Sequence, residues 1–473
     1  MRILQSLVVG LFIVSSPVFA VTFSNSRALT LNGTENADAL RGIWHSPQQG
    51  YVIDLTARKP RVFHLTDGAC WPDSDLAEVA KDAFALGRFS DDKSQLKASA
   101  AIGASETLLV RMKALPARCS EEADSSPKAV FEAVWQTMNE HYAFFAQRRV
   151  DWADAGEKAR MQINAETKDE ALYESISKLL STTNDAHVTF QAKINGRERR
   201  LTNGRGATLT ALRSAYESSK QGGNPADFYN EWIRVTRSNV DSVLLGGRGK
   251  SALNGVAFWG VNRDAAGGDI GYLALSNLSG YTRGGSVIDD IEAVDRWLDE
   301  IIDACKSCNA MIVDISQNRG GDDRVAMAVA ARFATQSVAV YNKQAYSRTA
   351  SADVQPFVLT PSSKPRFTGS VALVTDSVTV SAAEVLTLAM RALPNVNHVG
   401  QPTRGALSDA LEKSLPNGWR FTLSNEIYRD ASGELFEARG IPPKRLMPIF
   451  DAKDLFASHA PAIMSIAKML RKP

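Results

Sequence analysis

The 473-residue sequence lacks an excess of charge of either sign: 54 lysines and arginines stand against 52 aspartates and glutamates. No basic run stands out, which argues against nucleic acid or an anionic membrane surface as the main partner. Beyond the first 20 residues no apolar run is long enough to span a bilayer. One C-x-x-C occurs, with no second C-x-x-C and no histidine pair to accompany it, so zinc-site spacing is missing and no metal is expected. Internal repeats are absent. So is the G-x-S-x-G elbow of the α/β-hydrolases. Oligomeric state is left open.

What is present describes a soluble, exported chain. Hydrophobic residues make up 44% and charged residues 22%, the balance of a globular protein, and the length suits two or three domains. Residues 1–20, MRILQSLVVGLFIVSSPVFA, have the charge, apolar centre and small final residue of a secretory signal cleaved after Ala20. A periplasmic or extracellular location follows, with no membrane span in the mature form. Four cysteines lie beyond the signal, where export permits disulfides. Cys70 pairs with Cys119 on this reading. Cys305 and Cys308 form a local bridge where a helix ends before the strand AMIVDI. A redox-active thiol pair would instead sit at a helix start.

The texture of the chain divides it further. Residues 21–118 read as a small β-rich domain, with two short strands around the polar turn at 57–60. Residues 119–260 open with a polar linker and a helix whose stripe includes Val130, Val134, Met138 and Phe145. A second helix ends near Ser181, and a strand follows His187. Helical patterns fill much of 191–260, with no clear small β-domain. Residues 261–455 alternate apolar strands with helices, the pattern of an α/β domain with a mostly parallel sheet. A helical tail, 456–473, closes the chain.

One junction in that α/β region poses a chemical question. The strand VALVT runs into TDSVTVSAAEVL, with Ser381 where a helix begins. Ser381 and Glu384 spell the S-x-x-E of a capping box, and a cap is the commoner role for such a serine. The same helix start offers free N–H groups and a positive dipole end to an oxyanion, and capping and catalysis are compatible. A nucleophile needs a base. Of the histidines after Ser381, His398 opens a strand and His459 lies in the tail; both read as structural or surface residues. His141 borders an apolar helical stripe and reads as packed. The other candidate is His187, in NDAHVTF. The strand AMIVDIS ends in Gly320 and Gly321, whose backbone can face a ligand, and Glu437 precedes a Gly-Ile-Pro-Pro turn.

Six segments in this order resemble the C-terminal-processing, tricorn-core and interphotoreceptor retinoid-binding family of serine peptidases: VFEAVWQTMNEHYAFFAQRRVDW, NDAHVTF, VDISQNRGGD, VTVSAAEVL, VGQPTRGA and FEARGIPP. The resemblance covers roughly residues 125–450. It implies a crotonase-like α/β core with a helical cap domain, a polypeptide substrate, no cofactor, and hydrolysis through an acyl-enzyme on Ser381. The processing branch takes its base from a lysine in G-E-P-T-x-G-K; here Ala406 stands at that place. The tricorn branch uses a histidine, matched by His187, and a serine just before it linking to a glutamate. Ala186 occupies the serine's place, and Glu437 matches the glutamate, with Asp185 a second possible orienter. Ala382 and the Gly320–Gly321 turn correspond to the oxyanion hole. Ser316 replaces a usual arginine and Lys444 a usual acidic residue, and no PDZ domain is recognisable. The leading expectation is an exported serine endopeptidase. The alternatives are a non-catalytic peptide or hydrophobic-ligand binder on the same fold, as the retinoid-binding repeats allow, and a C-x-x-C thiol oxidoreductase.

Overall fold

A computed structural model describes residues 29–30, 37–79, 84–101, 104–219, 224–264 and 268–471; the secretory signal read at 1–20 lies outside them. Among the described residues no helix is long and apolar enough to cross a membrane.

A seven-stranded sheet carries the α/β part. Five of its strands run parallel: Asp269–Leu275, Cys308–Asp314, Ser370–Thr375, Val396–Gly400 and Arg445–Leu446, in that spatial order. Ala257–Asn262 and Lys250–Ala252 extend one edge antiparallel. Side-chain alternation explains why the central strands are apolar throughout, since each face has its own core. Leu273, Met311, Val313, Val371 and Leu373 join the cluster under helices Val287–Ala304, Asp323–Ala331 and Ala382–Arg391. Tyr272, Ile312, Ala372 and Val374 join the opposite cluster, with helices Pro225–Val240 and His459–Leu470. The C-terminal helix is therefore part of the core. His459 is buried and its Nε2 pairs with Asp314 Oδ2 at 2.8 Å, so of the two readings, structural or surface, the structural one holds. His398 is likewise buried, with Nε2 2.7 Å from the Thr375 hydroxyl.

A second layer carries the histidine motif. Strands Arg197–Thr202, Thr189–Ile194, Arg420–Ser424 and Ala410–Ser414 form an antiparallel four-stranded sheet. Helices Pro127–His141, Trp152–Arg160 and Asp169–Ser181 pack on it through a core that includes Phe131, Met138, Ile176 and Phe190. Thr189–Ile194 is the strand expected after His187; its hairpin partner Arg197–Thr202 was not expected from the sequence, nor was Ala257–Asn262. A three-stranded sheet joins Gln355–Leu359, Val338–Ala345 and Glu426–Asp430.

Eight short strands between Leu29 and Met112 make one antiparallel sheet. Tyr51–Asp54 and Arg61–Leu65 form the hairpin around the 57–60 turn. Trp71 fastens this sheet to the second layer by donating from Nε1 to the Ser414 carbonyl at 3.0 Å. Cys70 is bonded to Cys119, and Cys305 to Cys308. The second bridge closes the end of helix Val287–Ala304 where strand Cys308–Asp314 starts.

Candidate active site

The parallel register sets the site. Asp314, Val374 and Val399 lie level in three neighbouring strands, so the segments 315–321, 376–381 and 401–406 emerge side by side at their carboxyl ends. In an open α/β sheet that is where ligands bind. The turn between strand and serine is tightly bonded. Asp376 Oδ1 accepts from the Val378 N–H at 3.1 Å, and the Thr379 hydroxyl donates to the Ile315 carbonyl at 2.8 Å.

Ser381 then adopts φ 62° and ψ −132°. A non-glycine residue holds such a backbone only where its surroundings enforce it. Two acceptors do so here: the Ser381 N–H meets the Ala406 carbonyl at 3.0 Å and Glu384 Oε2 at 3.3 Å. The carboxylate half of the capping box is thus formed, while the Glu384 N–H donates to the Ser381 carbonyl at 2.7 Å. Glu384 is wholly buried and does more than cap. It accepts from the Thr403 hydroxyl at 2.6 Å, the Gly405 N–H at 2.8 Å and the Ala406 N–H at 2.9 Å. One carboxylate therefore locks the serine to the 403–406 turn. Burial pushes its pKa up, against the pull of these donors.

Two glycine-rich features complete the serine wall. A Cβ added to Gly320, at φ 90°, would lie 2.7 Å from Ser381 Cβ and 3.2 Å from its Oγ. Only glycine lets the turn come this close. The Gly320 N–H is already donated to Asn318 Oδ1 at 2.8 Å, and Asn318 is itself anchored to the Leu275 carbonyl at 3.0 Å. The N–H groups of Gly321 and Ala382, by contrast, have no hydrogen-bond acceptor among the described residues, and Ala382 opens the helix.

His187 faces this wall: it and Ser381 line one cleft of about 450 Å³. No hydrogen bond joins the two side chains among the described residues. The His187 backbone is fixed on both sides, its N–H to Asp185 Oδ1 at 2.9 Å and its carbonyl to the Thr422 hydroxyl at 2.6 Å. Its Nδ1 is buried without a partner among the described residues. Burial lowers the His187 pKa below its ordinary 6.5; the Asp185 and Asp409 charges oppose that shift, and Arg148 adds to it. Asp185 therefore orients the histidine's backbone. Its other oxygen accepts from the Tyr142 hydroxyl at 2.8 Å.

Glu437 is brought near this motif through Arg148, a residue the sequence did not single out. The Arg148 side chain is 5% exposed. Its Nη2 donates to Glu437 Oε1 at 2.7 Å and its Nε lies 3.2 Å from Asp185 Oδ2. It also donates to the carbonyls of Asn184 and Gly405, at 2.7 and 3.1 Å. Glu437 Oε2 accepts from the Leu407 N–H at 2.9 Å. No hydrogen bond links Glu437 to the His187 ring among the described residues. Arg404 adds a second tie, with its Nε donating to the Gly204 carbonyl. Gly204 packs against the histidine motif so closely that a Cβ there would sit 2.5 Å from the Ala186 nitrogen.

The fold and this cleft define a class: α/β proteins whose polar site is assembled at the carboxyl ends of a parallel sheet and roofed by a second layer. Residues 269–446 match the family model of peptidase family S41, a serine-type peptidase family. A Parabacteroides merdae protein named as a candidate peptidase superposes with a TM-score of 0.57 at 22% identity, over 73% of this chain and 97% of its own. Mature CPAF superposes at 0.50 and 11% identity, over 73% and 98%. At these identities the likeness is one of fold. No curated protein matches the chain.

Proposed function

We propose that this chain is an exported serine endopeptidase, with Ser381 as nucleophile and His187 as general base. The observation that carries this reading is a strained serine at a helix start sharing its cleft with a half-buried histidine. Below its ordinary pKa the imidazole stays neutral at pH 7 and is able to take the Ser381 proton as Oγ attacks a peptide carbonyl. The N–H groups of Ala382 and Gly321 receive the oxyanion, each such donor being worth about 3 kcal/mol in the transition state. Gly320 supplies room for this geometry, since its own N–H is taken by Asn318. His187 then protonates the leaving amine, and water releases the acyl group from Ser381. Glu437 and Asp185 act through Arg148 and through the histidine's backbone as positioning groups. Export is supported by the N-terminal signal and by two disulfides, which suit an oxidising compartment.

A fluorophosphonate probe tests the reading. Labelling of the wild type that is lost in Ser381→Ala and reduced in His187→Gln is the expected result. Correctly folded wild type that takes no label between pH 6 and 9 would instead make the chain a binder on a peptidase fold.

A further inference from the structure

We infer that the cleft beside Ser381 selects polypeptides by their acidic side chains. The inference takes from the peptidase reading only that this cleft receives the polypeptide. Arg200, Arg205, Arg213, Arg319 and Arg404 all line it, and no aspartate or glutamate does. The whole chain is nearly balanced, at 54 basic and 52 acidic residues, so this is a local segregation of charge. Only Arg213 has an acidic partner, Glu217 at 2.5 Å on its own helix. The other four form no ion pair among the described residues. Arg205 donates to the Thr202 hydroxyl at 2.9 Å, and Arg319 lies over the Tyr229 ring at 5.4 Å. Arg404 keeps its Nη2 without an acceptor among the described residues; burial and Arg148 lower its pKa, while the charges of Glu384, Asp185 and Glu437 behind it oppose that shift.

These five cations come from separate places: the strand Arg197–Thr202, the loop after it, the helix Ala207–Ser218, the turn before Gly320 and the turn after Gly400. They converge on one opening whose walls include Leu209 and Phe228. Apolar walls focus the field of charges around a cleft and raise the local concentration of the opposite sign. A guanidinium offers a planar fork that fits a carboxylate with two hydrogen bonds. Side-chain carboxylates of aspartate and glutamate on either side of a bound peptide answer both features. Arg200, Arg205, Arg213 and Arg319 are exposed, so they meet such a peptide without unpacking the core.

The test separates this inference from the catalytic one by reading binding alone, on the full chain carrying Ser381→Ala. Fluorescent decapeptides with acetylated and amidated ends, one bearing four glutamates and the other four glutamines, are titrated and followed by anisotropy. The acidic peptide is expected to bind at least about tenfold tighter at low salt, with the margin shrinking as ionic strength rises. The double variant Arg200→Gln/Arg205→Gln should lose most of that margin at unchanged Tm. Arg58→Gln, at an exposed turn of the N-terminal sheet, should retain it. Equal affinity for the two peptides overturns the inference. So does a glutamine peptide that gains the same margin once its carboxyl terminus is left free, since the arginines would then read a chain end. Tighter binding of a single-stranded oligonucleotide of equal charge also overturns it.

Discussion

Arg148 and Glu437, 289 positions apart, meet as a buried pair at 2.7 Å beneath the histidine motif. The same guanidinium lies 3.2 Å from Asp185, so one cation serves two carboxyl groups taken out of water. Burying charges is costly unless each is paired, and removing one partner strands the others.

Arg148→Met should therefore destabilise the protein by about 3–5 kcal/mol, read by urea denaturation. The loss has a pH signature. Burial and the Asp185 charge hold Glu437 at about 8, above its ordinary 4.5, against the pull of Arg148. A carboxyl whose pKa rises on folding loses stability as pH climbs from the unfolded to the folded value, because only the native state keeps the proton. Removing Arg148 extends that climb, so the deficit should be larger at pH 9 than at pH 5. Arg148→Met/Glu437→Gln should recover part of it at pH 9. A deficit independent of pH would mean that the arginine matters only for packing.

Gly320→Ala should abolish probe labelling while leaving a folded protein. The added methyl meets Ser381 Cβ at 2.7 Å and the Val380 carbonyl oxygen at 2.8 Å, on a backbone of φ 90°. The strain is on the order of 1–3 kcal/mol, visible as a lower Tm, and the serine must shift to relieve it. An alanine variant that labels at the wild-type rate would show that the Gly320 turn does not set the serine's position.

Much of this arrangement was legible in the sequence, because the central strands are short apolar runs that end in polar and glycine-rich turns. That pattern put Ser381 and the Gly320–Gly321 turn each at a strand end; the 403–406 turn came from the family resemblance, and that the three strands are neighbours shows only in the register. Local pattern failed where pairing alone makes a strand. Arg197–Thr202, RERRLT, shows no apolar alternation; its partner Thr189–Ile194 holds it in register from Arg197 opposite Ile194 to Thr202 opposite Thr189. RFTLSNEIYR reads as continuous, yet it divides at Asn425 between two sheets. The Asn425 Nδ2 is held there by the carbonyls of Gln48, His141 and Tyr346. Arg148 stands beside Arg149, and nothing in QRRVD tells which one turns inward. Only the long-range partners decide that.

The pH dependence of labelling should reflect a base that is hard to protonate. Burial sets the His187 pKa below 6.5, so the neutral form persists at pH 6.5. The rate should fall only as pH drops through that lowered value, giving an acid limb with its midpoint below 6.5. Asp409→Asn removes one of the charges that raise the His187 pKa and should move the limb further toward acid. An acid midpoint above 6.5 would require a different base.

Lys413 offers a stability test away from the serine. It lies in strand Ala410–Ser414, 2% exposed, where that strand meets the N-terminal sheet. Its Nζ donates to the Gln49 carbonyl and sits 3.8 Å from the centre of the Tyr51 ring. Burial brings its pKa down from 10.5 to about 7, although the Glu140 and Asp73 charges resist. Between those two values the unfolded chain keeps the proton and the native state does not, so this group makes the protein more stable as pH rises from about 7 to 10.5. Below that window the native state must bury an ammonium. Lys413→Met keeps the unbranched stem of the side chain, one atom shorter, and removes the titration. It should raise Tm over wild type most at pH 6–7, and the gain should shrink toward pH 10. Other titrating groups cancel in this difference unless they contact Lys413. A methionine variant less stable than wild type by the same amount at pH 6 and pH 10 would show that the two carboxylates and the Tyr51 ring already compensate the charge.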